Sequence, residues 1–161
     1  MSFESVINRM QSKGEQIKRD MLKVLQIEVK KSINLNFASQ GRPVKWKKKK
    51  RPDGRAVLTG RTGRLQRTIN VEIDYGNNSI KMGSNLPYAK IHQEGGVINM
   101  PARKMRLRTK RSGQSVFASK RHKATRETTA RAYKINIDPR PFLTIPQGDF
   151  PRIVNNLKRV V

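Results

Sequence analysis

Few residues in this sequence of 161 have the type and spacing to do chemistry, and each set has a plainer role to be weighed against. Glu72 and Asp74 stand two apart in an alternating stretch. That spacing puts both carboxylates on one face of a strand, as an acid and base pair would require. No nucleophile or further base accompanies them, so the expected role is to face solvent or basic neighbours. His92 and His122 are the only histidines, and their spacing builds no metal site. The chain has no cysteine, which excludes disulfides and cysteine-ligated zinc. An enzyme is therefore not expected, and no cofactor or metal is called for.

Charge is the stronger signal. The formal net charge of +25 exceeds what solubility needs and points to an acidic partner: nucleic acid, an anionic membrane face or an acidic protein surface. Lys47, Lys48, Lys49, Lys50 and Arg51 form one basic loop, and Arg106, Arg108, Lys110, Arg111, Lys120 and Arg121 belong to a second basic stretch. Both are candidate partner-binding surfaces. Trp46, the only tryptophan, could stack on a base beside its lysines, although a tryptophan closing a loop more often anchors it to the core. Gly60-Arg61-Thr62-Gly63 has the GXXG form with which KH domains clamp a nucleotide backbone. The plainer reading is a helical turn that orients Leu65 inward and leads into a strand. No Gly-Lys-Ser/Thr follows, so a P-loop is excluded. These features leave a stand-alone nucleic-acid-binding protein as the alternative function.

The positioning elements follow from periodicity. Apolar residues recur every three or four positions from Phe3 to Phe37, and Gly14 interrupts them, so a short helix and then a longer one over 15–37 are expected. Basic residues on the opposite face could lie on a membrane, but Asp20 and Glu28 interrupt them, and a core-packing helix is preferred. No apolar run approaches a membrane span, the N-terminus lacks the build of a signal peptide, and no membrane partner is expected. Ile69, Val71 and Ile73 alternate with polar residues, Tyr75-Gly76-Asn77-Asn78 turns, and Ile80 and Met82 resume the alternation, predicting an antiparallel hairpin. A short helical turn follows over Tyr88 and Ile91, closed by Gly95 and Gly96.

Between 97 and 138 lies a basic arm. Its ends, around Met105 and Leu107 and around Tyr133 to Ile137, are expected to form a second hairpin. Lys110 to Arg131 is too polar to fold alone and should order only against something else. Tyr88, Ile91, Phe142 and Leu143 are expected to share one core. A final helix should start near Asp149 or Pro151 and bury Ile153, Val154, Leu157 and Val161. The fold class predicted is α+β: one domain over 1–161, with a long N-terminal helix and a C-terminal helix packed on a mostly antiparallel sheet of about four strands.

Several phrases carry a family resemblance. Gln40-Gly41-Arg42-Pro43 through Trp46, Leu58-Thr59-Gly60 with Gly63-Arg64-Leu65, Pro87-Tyr88-Ala89 through His92 to Gly95, the start Pro101-Ala102-Arg103, and Pro139-Arg140-Pro141-Phe142-Leu143 occur in order over about three quarters of the chain. Together they resemble the phage virion-morphogenesis family of tail-completion and neck proteins. In that family a Pro-Ala-Arg phrase follows the double glycine closely. Here Pro101-Ala102-Arg103 breaks off, and the complete phrase stands at 139–143. The resemblance implies a structural role for Trp46, Gly60, Gly63, Leu65, Tyr88, His92, Gly95, Pro141, Phe142 and Leu143. It also implies a virion protein of the tail or neck, assembled in the host cytoplasm, acting in tail completion or head-to-tail joining. The expected form is a homo-oligomeric ring, hexameric by preference, that touches adjacent neck, connector or tail-tube proteins. Virion DNA is a further contact that the charge permits.

Overall fold

The structure, a computed structural model, describes residues 3–50, 53–110, 113–118 and 125–160. The class is α+β, as expected. The chain forms two compact units: Met1–Glu94 with Asp138–Val161, and Gly95–Ile137.

The first unit is organised on helix α1, Phe3–Ala38. It runs unbroken through Gly14, where a break was expected. One glycine costs about 1 kcal/mol in a helix interior, and strong helix formers on both sides carry the helix across it. At 36 residues α1 is about 54 Å long. Only its C-terminal half is buried: Val29, Ile33 and Phe37 form the core with Trp46, Leu65, Ile69, Ala89 and Phe142. This face packs on a hairpin of β1, Ile69–Asp74, and β2, Ser79–Ser84, with Val71 opposite Met82 and Ile73 opposite Ile80. Helix α2, Arg64–Arg67, is one turn that buries Leu65 and leads into β1. The plain reading of the GXXG stretch therefore holds.

Helix α3, Ala89–Glu94, follows β2 and ends at Gly95, whose φ of +78° is costly for any residue with a side chain. It turns Ala89 into the core, while Tyr88 stays 39% exposed and Ile91 is half-buried. Tyr88 is thus not the core residue expected; Ala89, the next residue, joins the core cluster in its place. Phe142 is fully buried and Leu143 packs beside the cluster, as expected. Helix α4, Phe150–Leu157, lies against α1, preceded by a short 3-10 turn, Gln147–Asp149. Ile153 is buried, whereas Val154, expected inside, is 45% exposed. Val161 lies outside the described residues.

The second unit departs most from expectation. Strand β3, Gly96–Met100, pairs with β7, Tyr133–Ile137, in antiparallel register. Strand β4, Arg103–Thr109, is the centre of a three-stranded sheet between β5, Ser115–Phe117, and β6, Arg126–Ala130. The expected hairpin of β4 with β7 does not form. Gly96-Val97-Ile98-Asn99-Met100, for which no strand was expected, takes β7 instead. Strands β5 and β6 stand where an unstructured arm was expected, opposite Leu107 and Met105 of β4. Backbone ladders satisfy their polar groups without a deep core, for no described residue of this unit is fully buried. There are seven strands among the described residues, in three small sheets, not four in one.

Candidate functional site

A polar network first fixes the loops that build the site. Arg42 follows Gly41 in the turn after α1, and its guanidinium reaches back to the helix. Its Nη1 and Nη2 donate to the two carboxylate oxygens of Asp149 at 3.0 and 2.8 Å, its Nε to Asn36 Oδ1 at 3.0 Å, and Nη2 again to the Ser32 carbonyl at 2.9 Å. Such a two-pronged pair fixes both position and angle. The Ser32 hydroxyl also donates to Asp149. Asp149 is held below the usual carboxylate range, chiefly by the bond from Arg42, against the opposing effect of burial. Asn36 donates to the carbonyls of Phe142 and Thr144 at 3.1 and 2.6 Å. Glu28 forms an ion pair with Arg152 at 2.9 Å and accepts a hydrogen bond from the Asn156 amide at 2.9 Å, which docks α4. Glu28, Ser32 and Asn36 are spaced at four, so one buried helix stripe is polar and holds three chain segments.

The Pro-Arg-Pro-Phe-Leu segment is then clasped by the end of α3. The Arg140 N–H donates to the His92 carbonyl at 2.8 Å, and Gln93 Oε1 accepts from the N–H groups of Phe142 and Leu143 at 2.9 and 3.0 Å. Trp46 is the expected anchor: it is 7% exposed, meets Phe37 edge-on at 5.5 Å, and its Nε1 donates to the Pro141 carbonyl at 3.3 Å. Its ring is therefore not free to stack on a base.

These contacts bring three of the separated phrases around one cleft of about 340 Å³. Val57, Leu58 and Leu65 supply its apolar floor, the turn from Thr59 to Thr62 one wall, and Tyr88 and His92 of the α3 segment another. Lys49, Arg64 and Arg140 are its cations. Lys49 is paired with Asp53 at 2.7 Å. Arg140 spends Nε and Nη2 on the Lys47 carbonyl, both at 3.4 Å. Arg64 makes no ion pair with a described residue. His92 sits edge-on to Tyr88 at 6.0 Å, and its Nδ1 is buried without a partner among the described residues. Burial, and then the Arg140 charge, push the His92 imidazole below its ordinary value, which favours the neutral ring. Leu58 and Gly60, both lining the cleft, hold positive φ of 63° and 54°. The N–H groups of Gly60, Arg61 and Thr62 donate to no described backbone group.

The remaining sequence-predicted residues are dispersed. Lys47, Lys48 and Lys50 are exposed on the loop after Trp46, with Lys47 paired to Asp138 at 2.9 Å. Arg106 is exposed on β4, 3.9 Å from Glu127, and Lys110 is exposed after it. Arg108 is half-buried, its Nε without a partner among the described residues. Arg51, Arg111, Lys120 and Arg121 lie outside the described residues, as does His122. Glu72 is exposed, while Asp74 accepts from Lys81 at 2.7 Å and from the Asn77 side chain at 2.8 Å, closing the hairpin turn. The two carboxylates thus have separate structural surroundings. Sequence reasoning missed Arg42, Asp149, Asn36, Gln93 and Arg64 as site-building residues. Arg42, Gln93 and Arg64 stood inside or beside the quoted phrases, which was the available signal.

No helix among the described residues is long and apolar enough to cross a membrane. No curated protein and no solved structure matches the chain significantly. The phage virion morphogenesis family model matches residues 2–161, so nearly every residue of both units falls within it. With its phrases meeting at one cleft, the chain belongs to the phage virion morphogenesis family.

Proposed function

We propose that this protein is a structural subunit of a tailed-phage virion that completes the tail or joins head to tail as a homo-oligomeric ring, and that it is not an enzyme. The observation that carries this reading is the free half of α1. Every residue with a described side chain from Ile7 to Arg19 is exposed, yet Ile7, Met10 and Ile17 fall three and seven apart on one stripe, with Met10 70% exposed. Apolar residues repeated on one helix face serve to meet another surface. A subunit that projects several turns of such a helix is suited to a neighbour in a closed ring. The exposed cations of the second unit, Arg106 and Lys110, suit an acidic surface on an adjoining virion protein.

Native mass measurement of the purified protein tests the ring, with hexamers expected. Met10→Glu with Ile17→Glu should release subunits that keep wild-type circular dichroism. Replacing Arg106, Arg108, Lys110 and Arg111 by Gln should block joining of heads and tails. Normal joining together with altered DNA packaging or ejection would instead assign these cations to DNA.

A dedicated nucleic-acid binder is the second reading, favoured by the exposed Lys47, Lys48 and Lys50 on one loop. Tight DNA binding whose affinity falls steeply with salt would support it. Weak binding is expected of any chain of charge +25.

A further inference from the structure

We infer that the cleft between the Thr59–Thr62 turn and α3 is a docking pocket for an acidic peptide segment of a partner protein, one that carries an apolar side chain next to carboxylates. This names the partner chemistry for the assembly role proposed above and rests on that reading.

Three features of the cleft fix the class of ligand. Its volume of about 340 Å³ lies at the small end of ordinary ligand pockets, room for a side chain or two and not for a run of nucleotides. Its floor is apolar, with Leu65 only 3% exposed, so it gains from an apolar side chain that displaces water. Its cations have donors to spare among the described residues, with Arg64 in no ion pair and Arg140 making no bond from Nη1, and the N–H groups of Gly60 and Thr62, which also line it, donate to no described backbone group. A carboxylate between Arg64 and Arg140 would receive charge-assisted hydrogen bonds, the strong kind. His92 also lines the cleft, so its ring reports on what occupies it.

A phosphodiester backbone fits less well. Binding of single strands uses an open groove of cations with aromatic faces on which bases stack. Here Tyr88 turns an edge contact to His92, and the cations ring a short concavity with a greasy floor.

The test titrates the full-length protein with a capped pentapeptide that holds phenylalanine between two glutamates. The same peptide with glutamines and a ten-residue oligothymidylate serve as controls. Binding is read from the His92 ring resonances. Saturable shifts are expected with the acidic peptide alone, and Arg64→Gln with Arg140→Gln should weaken binding by about tenfold or more. Thr62→Glu, an exposed position at the cleft wall, should block the peptide by placing a carboxylate there, and it guards against misfolding of the double variant. Lys48→Gln, outside the cleft, should bind normally. Equal binding by the double variant, equal binding of the glutamine peptide, or displacement of the peptide by the oligonucleotide would each overturn the inference. Native mass is read on the same samples: rings without peptide binding refute the docking pocket alone, and peptide binding without rings refutes the ring alone.

Discussion

Asp149→Ala should destabilise the fold far more than loss of a surface ion pair would. The substitution removes both hydrogen bonds from Arg42, at 3.0 and 2.8 Å, together with the one from Ser32, and strips Arg152 of a charge 3.7 Å away. Arg42 Nη1 then has no described partner, while Nη2 keeps the Ser32 carbonyl. Removing one member of a buried pair costs about 3–5 kcal/mol. The Asp149 side chain keeps 10% of its surface and the Arg42 side chain 22%, so water relieves part of the penalty and the lower end of that range, about 3 kcal/mol, is expected. Urea unfolding at pH 7 measures it, as a midpoint lowered by about 1–3 M at unchanged slope. The pH dependence gives a second check. Asp149 has a folded pKa below its ordinary 3.8, so its contribution is fully present above that value and is lost as pH falls through the folded pKa. The gap between wild type and variant should therefore start to narrow as pH falls below 3.8 and keep narrowing through the folded value. A cost under about 1 kcal/mol, the scale of an exposed ion pair, or a gap that persists in acid, would refute the network as the clasp of these segments.

Phe142→Ala should cost about 3–5 kcal/mol, since the ring is fully buried 5.7 Å from that of Phe37; an unchanged melting temperature would mark the segment as an exposed contact motif. Gly41→Ala should cost at least about 1–3 kcal/mol, because φ is +105° and a Cβ would stand 2.6 Å from both Trp46 N and the Val44 carbonyl oxygen; unfolding followed by Trp46 fluorescence measures it. Gly14→Ala should add about 1 kcal/mol and raise helicity by circular dichroism, as the site is exposed and nothing lies within 4 Å. The His92 ring should titrate below 6.5 in the folded protein. Its neutral form then favours folding: the contribution is complete above pH 6.5 and is lost as pH falls through the folded value, which ring resonances followed against pH will show.

Local pattern alone determined a good part of this molecule. The period-two alternation from Ile69 to Met82 yields β1 and β2, because one sheet face must be buried and the turn residues between them permit reversal. The three-four spacing from Phe3 to Phe37 yields a helix, and Trp46 in a loop otherwise basic and polar could only serve as its anchor to the core or as a stacking platform. What the sequence could not show was pairing over distance. Glu28, Ser32 and Asn36 read as a polar interruption of an amphipathic helix, yet they are buried because Asn156, Asp149 and the Phe142 carbonyl meet them from more than 100 positions away. Strand β7 suits β3 or β4 equally by alternation, and choosing between them depends on which chain ends the closed loop brings together. The cleft is the extreme case. Lys49, Arg64, His92 and Arg140 have no common period, and only the clasp of Gln93 on the Pro-Arg-Pro-Phe-Leu segment sets their charges around one apolar floor, because burial of Phe142 and saturation of its backbone must be satisfied together.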